Sequence, residues 1–486
     1  MTPDTRPVDV LVIGAGPAGI SAALTIADAS PASVLIVEAG SHHHRRPCPA
    51  DQGRSCHGCA GVCNVISGFG GSIHYGDAVK VSRFPAGRRL AELLGDDLLG
   101  GLARRAEEIL LPHGADFRRL AADPQNFSSY RLKDYPVATL GTHQVRILLD
   151  RLYQRVSDHP QIDTALRHQV TRIEPVAEGF EVEIADPRTG ALLERIRAHQ
   201  VVLAVGRRGQ RWWSAELRRL QLAHRDPTPS VGVRFEMPAE LLAPAGQLHP
   251  DFKASTLANE VKVKTFCLCA GPGGGRVKFT DYGHHTLLDG HVIPDGDGGA
   301  ANLALLAQLR DPDGHPRDRA WVDAHLLRPY RALRPDRPGK PVLQWYPDFR
   351  DRVLTRTTWP DITDDLTFRP SLRDYGIADL ASILPAPLQQ ALSTTFEDLL
   401  RRFSGRQALD PDLLGQVVVA GLELEGLWDE LQVSPTMETS LPGLFACGDC
   451  AGLAQGILQA AVGGVAAGLG IARTHQAEPV AVSSTP

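Results

Sequence analysis

The sequence predicts an α/β protein in which a dinucleotide-binding unit, assembled from separated stretches of chain, carries an inserted α+β domain. Three observations predict it. The apolar run Val8–Ile13 leads straight into Gly14-Ala15-Gly16-Pro17-Ala18-Gly19, a strand entering a G-x-G-x-x-G turn. The run Gln200-Val201-Val202-Leu203-Ala204-Val205-Gly206 is a second buried-strand pattern ending in glycine. Near the C-terminus, Leu441–Asp449 reads as a turn, a short apolar strand and a Gly-Asp pair before a Gly/Ala-rich helix.

Each part of the first stretch has a physical job. Gly14 allows the tight turn, Gly16 lets a diphosphate approach the backbone, and Gly19 lets the helix pack on the strand. The helix that follows, Ile20 to about Ala29, presents free N–H groups and the positive end of its dipole to the diphosphate. The strand Val34–Val37 ends on Glu38, roughly 20 residues past the turn, where a carboxylate can take both ribose hydroxyls. An acid there disfavours a 2′-phosphate, which leaves FAD or NAD as the bound nucleotide.

Composition sets the bounds. The 486 residues suggest two or three structural units. Hydrophobic content of 43% and charged content of 22% are ordinary for a globular protein. A formal net charge of −5 gives no global electrostatic case for nucleic acid. Residues 1–6 are polar and lack an apolar leader, so the expected location is the cytoplasm. Residues 452–472 are apolar and long enough to span a membrane, but their Gln and Gly content and their place after a nucleotide motif favour a buried helix. The eight Cys are clustered, which in a cytoplasmic chain points to metal or redox chemistry.

Between these landmarks the chain divides as follows. Residues 1–85 form the first segment of the nucleotide domain and 86–140 a helical insertion, with helical periodicity over Leu90–Leu111. Residues 141–212 are the second segment, with a helix from Gln144 to about Asp158 and a hairpin over 169–184. Residues 213–414 form the substrate or cap domain. It has short strands at Ser230–Phe235, Val261–Leu268 and Arg276–Thr280, and a helix over Asp379–Phe403 interrupted at Pro385-Ala386-Pro387. Residues 415–475 close the nucleotide domain, and 476–486 are a flexible tail.

The order of the motifs selects the cofactor. In flavoproteins of the two-dinucleotide-fold type, an Asp in the position of Asp449 receives the ribityl hydroxyls, and the next helix points its N-terminus at the flavin. The glycine fingerprint, the V-V-L-A-V-G strand and the late strand-Gly-Asp-helix together mark FAD rather than NAD, on a Rossmann-like FAD-binding domain. The positions expected to touch FAD at the first turn and its acid are Gly14, Gly16, Pro17, Ala18, Gly19, Glu38 and Ala39. Gly71 and Ser72 join them from a second Gly-rich turn, and Val170, Ala204 and Gly206 from the middle segment. Gly448, Asp449, Gly456 and Ile457 complete the set.

One block goes further. The run Arg46-Pro47-Cys48-Pro49, Cys56-x-x-Cys59-x-x-x-Cys63, then Gly68-Phe69-Gly70-Gly71, resembles a set of FAD-dependent dehydrogenases that carry a similar cysteine block after the first nucleotide-binding unit. Thr265-Phe266-Cys267-Leu268-Cys269 with Gly273–Gly275, and Ser434–Thr439 with Gly448–Ile457, are similar to two further segments of that family. The resemblance implies a flavin redox enzyme and leaves its substrate open. The chain departs from the family pattern at Ser72–Asp77 and at Cys447–Gly452, both where the resemblance would place the flavin ring, which points to a different substrate.

Cys48, Cys56, Cys59 and Cys63 have the spacing to hold an iron–sulfur cluster or Zn2+; packed thiols or a redox disulfide are the alternatives. Cys267 and Cys269, two apart on a strand, point to one face, with side chains too parallel for an easy bridge. One of them, Cys267, is a candidate to approach the flavin; core packing is the alternative for both. Cys447 and Cys450 form a C-x-x-C at a helix N-terminus, which would lower a thiol pKa and make Cys450 part of a dithiol relay. His74, after the second Gly turn, is the candidate base to take a substrate proton. The His42–His44 run reads as an exposed loop.

The expected activity is that of an FAD-dependent oxidoreductase, a dehydrogenase or oxidase taking hydride from a small organic substrate onto FAD N5. An electron-transfer flavoprotein or reductase, fed from a protein donor by a cluster at Cys48–Cys63, is one alternative. A flavin monooxygenase is the other. No second G-x-G-x-x-G follows a strand, so no separate nicotinamide domain is expected.

Overall fold

The structure is a computed structural model. It describes residues 6–476 apart from 55–58, 60–61, 113, 122, 282–285, 296–297, 337 and 373–375. It opens on β1 (Arg6–Ile13), α1 (Pro17–Ala29) and β2 (Val34–Glu38). Every residue of β2 is buried, as in parallel strands covered on both faces. β3 (Val79–Ser82), α2 (Arg88–Leu110), β4 (Val137–Leu140) and α3 (Thr142–Ser157) follow. α3 buries Val145, Leu148, Leu149, Leu152 and Val156, the one-sided spacing of a helix laid against a core. Its start is fixed by the Gln144 side chain, which accepts from Gly141 N at 2.9 Å.

The chain then returns to the nucleotide sheet through β5 (Ile162–Leu166), β6 (Gln169–Val176), β7 (Gly179–Ala185) and β8 (Leu192–Leu203). The sheet order is β5-β2-β1-β8-β7-β6. β5, β2, β1 and β8 run parallel, and the β6–β7 hairpin joins antiparallel at β8. The hairpin expected over 169–184 is present, and β8 is twelve residues long, starting well before the expected Gln200.

The inserted region supplies β9 (Ser230–Pro238), β10 (Lys253–Ala258), β11 (Val261–Cys269), the hairpin β12 (Gly275–Asp281) and β13 (Thr286–Val292), and β14 (Ala300–Gln308). β15 (Val342–Trp345), α4 (Ala386–Ser404) and β16 (Val418–Glu425) complete it. Apart from that hairpin, these strands form an antiparallel sheet in the order β15-β16-β9-β14-β11-β10, with residues 131–133 on its edge. α4 begins after Pro385, the expected interruption, and lays Phe396 flat on Phe235 of β9, ring centroids 4.1 Å apart.

β17 (Leu444–Ala446) adds to β8 in parallel, and α5 (Ile457–Gln476) packs on α1. α5 is long and apolar enough to cross a membrane, yet 72% of that stretch is buried inside the protein. The two helices meet at Gly464, where any Cβ would overlap the carbonyl of Ala18. The architecture is α/β: a Rossmann-like FAD-binding sheet carrying an inserted α+β unit.

Candidate functional site

The three glycines of the first turn do different work. Gly14 has φ +106°, and a Cβ there would overlap the carbonyl of Ala204. A Cβ at Gly19 would overlap the carbonyl of Gly14, so Gly19 fits helix to turn and lies behind the cavity wall. A Cβ at Gly16 would meet only Gly71 Cα, at 3.7 Å, an ordinary contact. Among the described residues, nothing else comes within van der Waals contact of that position. α1 starts there without a side-chain cap and without an acid in its first turn, so its leading N–H groups remain open to an anion.

Glu38 is spent differently from the expectation. Its Oε2 accepts from Ala15 N at 2.9 Å, and its Oε1 accepts from Gly40 N at 2.7 Å and Gly68 N at 2.8 Å. A carboxylate offers about four lone-pair sites, so about one remains, on Oε2. Glu38 can receive one ribose hydroxyl there, not two, and ties both glycine turns to β2.

Arg46 does more for the second turn than any glycine. It is wholly buried, and all its donors go to carbonyls. Nε donates to Asn64 O at 2.9 Å, Nη1 to Phe69 O at 2.9 Å and Ile73 O at 3.0 Å, and Nη2 to Val65 O at 3.0 Å and to Gly71 O. Burial lowers its pKa to about 10, so the guanidinium stays charged at neutral pH. Nothing in the local sequence pattern marks Arg46 for this role.

A cavity of about 460 Å3 runs along this surface. Of the expected FAD contacts, all but Gly19 line it, from Gly14 and Glu38 through Val170 and Ala204 to Asp449 and Ile457. Burial raises the pKa of Asp449 despite Arg207, whose Nε lies 3.3 Å away. Arg207 Nη1 also donates to Asp289 Oδ1 at 2.5 Å, so the ion pairs join β13 to the C-terminal segment. The open turn, the uncapped α1 and the α5 N-terminus, all on one cavity, fit FAD.

The inserted region and β3 together add the reactive groups. Cys267, Lys80 and His291 all line the same cavity. His291 Nδ1 lies 3.1 Å from Asp77 Oδ2, and its buried Nε2 has no hydrogen-bond partner among the described residues. Asp77 also pairs with Arg276 Nε at 3.0 Å and with Lys278. Lys278 bridges to Asp51, which meets His74 Nε2 at 2.8 Å. Burial opposes ionisation of Asp77, but His291, Lys278 and Arg276 outweigh it and hold its pKa well below the usual carboxylate range. Sequence reasoning missed His291, because one His among 18 carries no local signal.

Two expected catalytic residues stand elsewhere. His74 is buried off the cavity wall, held by Asp51, and burial lowers its pKa. It is the far end of the chain of charges. Cys450 is also off the wall, with its thiol 3.1 Å from Cys447 O and 3.3 Å from Leu203 O. Burial pushes it up to about 12 and Cys447 well above its ordinary range, the reverse of an activated C-x-x-C. Cys447 caps only a four-residue 3-10 turn, Gly448–Ala451, and α5 starts later, at Ile457.

Cys48, Cys59 and Cys63 line one small cavity of about 40 Å3 with Arg54 and Lys278, and Cys56 lies outside the described residues. Among the described residues these thiols are not one of the sets whose ligand atoms gather within 4.8 Å. One such set is His43, His44 and Asp150. Both imidazoles meet Asp150 Oδ1 at 2.8 Å, and His43 is buried in a short 3-10 turn, not exposed as the sequence suggests.

The family described as pyridine nucleotide-disulphide oxidoreductase matches residues 8–73, a stretch that holds both glycine-rich turns. The fold is that of an FAD-dependent oxidoreductase. A flavoprotein/dehydrogenase from Cytophaga hutchinsonii is 14% identical, with a TM-score of 0.38, over 98% of this chain and 80% of that one. A geranylgeranyl bacteriochlorophyll reductase-like protein from Thermoplasma acidophilum is 13% identical, with a TM-score of 0.40, over 97% and 80%. An E. coli quinol fumarate reductase is 14% identical, with a TM-score of 0.38, over 98% and 71%. Likenesses this low fix neither substrate nor reaction. Among curated proteins, none matches the chain.

Proposed function

We propose that this FAD-dependent oxidoreductase oxidises a small organic substrate at the end of the cavity lined by Lys80, Cys267 and His291. The observation that carries the reading is the continuity of one cavity, from the open α1 N-terminus to those side chains. FAD bound there supplies a two-electron acceptor for hydride leaving a substrate carbon. The chain's own groups do the rest. The α1 amides and Gly16 bind the diphosphate, Glu38 takes a ribose hydroxyl, and Asp449 receives the ribityl chain.

His291 handles the proton. With Asp77 accepting from Nδ1–H, the neutral ring keeps its lone pair on Nε2, the nitrogen without a partner among the described residues. That ring lines the cavity, and we assign its buried Nε2 as the atom that takes a proton from a substrate hydroxyl or amine. Asp77 then stabilises the imidazolium. Lys80 sets a positive charge beside the same wall. Burial works against that charge, but Asp251 and the two neighbouring thiols outweigh it and hold the pKa above its usual value.

The test is an anaerobic screen of small alcohols, amines and hydroxy acids against the purified yellow protein, following loss of flavin absorbance. A donor that bleaches the wild type, and bleaches His291→Ala far more slowly at equal FAD content, is the expected result. No donor bleaching the FAD-loaded wild type would refute it.

We infer a second reading for the cysteine block: an iron–sulfur cluster or Zn2+ held by Cys48, Cys56, Cys59 and Cys63, making the chain a reductase fed by a protein donor. It is supported by three of these thiols sharing one cavity beside Arg54 and Lys278, cations that offset thiolate charge. Iron, sulfide and zinc assays on anaerobically purified protein decide it, and absence of all three ends it.

A further inference from the structure

We propose that Cys267 and Cys269 form a reversible dithiol–disulfide couple on the cavity wall that exchanges two electrons with the flavin. This rests on the FAD reading of the cavity. On a regular strand the two side chains would run parallel, but β11 is not regular here. Its register against β14 slips between Phe266 and Cys269, and Cys267 adopts φ +46°, a left-handed conformation that is rare outside glycine. The bulge turns the two Sγ atoms to within 3.7 Å of each other.

The surroundings hold this arrangement. The bulge carbonyl of Cys267 accepts from Arg234 Nη1 at 3.2 Å. Arg234 is wholly buried and fixed by Glu423 at 3.0 and 2.8 Å and by Asn302 at 2.6 Å. Cys269 Sγ fits only because residue 290 has no side chain; a Cβ there would come within 2.8 Å of it. Lys80 Nζ lies 3.7 Å from Cys267 Sγ and 3.8 Å from Cys269 Sγ, fixed by Leu268 O at 2.6 Å and Asp251 at 3.2 Å. The pair is also unequal. Cys267 is partly exposed on the cavity wall, whereas Cys269 is buried behind it. The hydrogen bond from Cys269 and the charges of Lys80 and Arg234 hold Cys267 well below the ordinary thiol pKa. Burial, with the neighbouring thiolate, pushes Cys269 well above it.

The exchange balances. Cys267 enters as a thiolate and Cys269 as a thiol. One S–S bond forms, the Cys269 S–H bond breaks, and the proton and two electrons pass to oxidised flavin, giving its anionic reduced form. The reverse step lets reduced flavin open the disulfide. The natural external partner is then a small thiol or disulfide entering by the cavity to exchange at Cys267, the accessible sulfur.

The holoprotein is equilibrated anaerobically in glutathione buffers of stepped ratio, acid-quenched and alkylated, and the peptide spanning 267–269 is weighed. The expected result is a single step from two labels to none, lost in Cys269→Ser. Two labels at every ratio, or only glutathione adducts, would overturn the couple. In parallel, dithiothreitol should bleach the wild-type flavin about tenfold or more faster than that of Cys267→Ser. Equal rates would overturn the electron exchange. A protein purified without FAD fails the reading of the cavity, while the thiol titration on that sample still decides the couple.

Discussion

His291 Nδ1 lies 3.1 Å from Asp77 Oδ2, across the boundary between the first glycine-rich segment and the inserted hairpin. The pair fixes the ring's tautomer at the cavity wall. His291→Ala is expected to slow substrate-driven flavin reduction about 10²–10⁴-fold, the range for losing a positioned base. FAD content should be unchanged. Asp77→Asn should lose less. Stopped-flow bleaching alongside flavin quantitation checks both.

Gly16 and Gly19 are three residues apart but should fail in different ways. Gly16→Ala meets only an ordinary contact within the protein, so the apo chain should keep its Tm and lose most of its flavin. Gly19→Ala drives a methyl into the Gly14 carbonyl, so its Tm should fall. Thermal melts with and without added FAD separate the two.

Arg46→Met leaves four buried carbonyls, and the part-buried one of Asn64, without their shared donor. At 1–3 kcal/mol for an unsatisfied buried group, partial relaxation still leaves a loss of at least about 3 kcal/mol. The second glycine turn should loosen and flavin should be lost with it. Urea unfolding followed by flavin fluorescence reads both.

Glu236 is buried in β9, where Ser371 donates to it from its N–H at 3.1 and 3.0 Å and from its hydroxyl at 2.5 Å. Burial raises its pKa to about 7 against those hydrogen bonds. Between the ordinary value of 4.5 and about 7 the folded state holds the extra proton. The contribution is thus fully present below 4.5 and lost as pH rises through 7. It amounts to about 3 kcal/mol at most. Subtracting the stability–pH profile of Glu236→Gln from that of wild type should show that falling limb, and a flat difference would refute it.

Much of this was legible in the sequence. β1, the turn, α1 and β2 follow from an apolar run, three glycines and an acid, since local sterics alone set them. The hairpin β6–β7 and the break at Pro385 were readable for the same reason. Long-range partners were not. Glu38 could be placed at its strand end, but not its use for three amides, two of them from turns that fold back onto it. Arg46 and His291 have no local signature, because their partners lie up to 27 residues away for Arg46 and on another segment for His291. The C-x-x-C at Cys447 gives no sign in the sequence of the burial that raises the pKa of both thiols. Here burial dominates and the helix starts later.

The central claim is that the cavity over Gly16 holds FAD. The most direct measurement is the flavin released by denaturing the purified protein, identified by chromatography and counted against chain concentration. About one FAD per chain is expected, bound through the turn and the α1 N-terminus, and little or none in Gly16→Val. A wild-type chain that holds no FAD even after incubation with it, or a Gly16→Val chain that holds as much, would contradict the account.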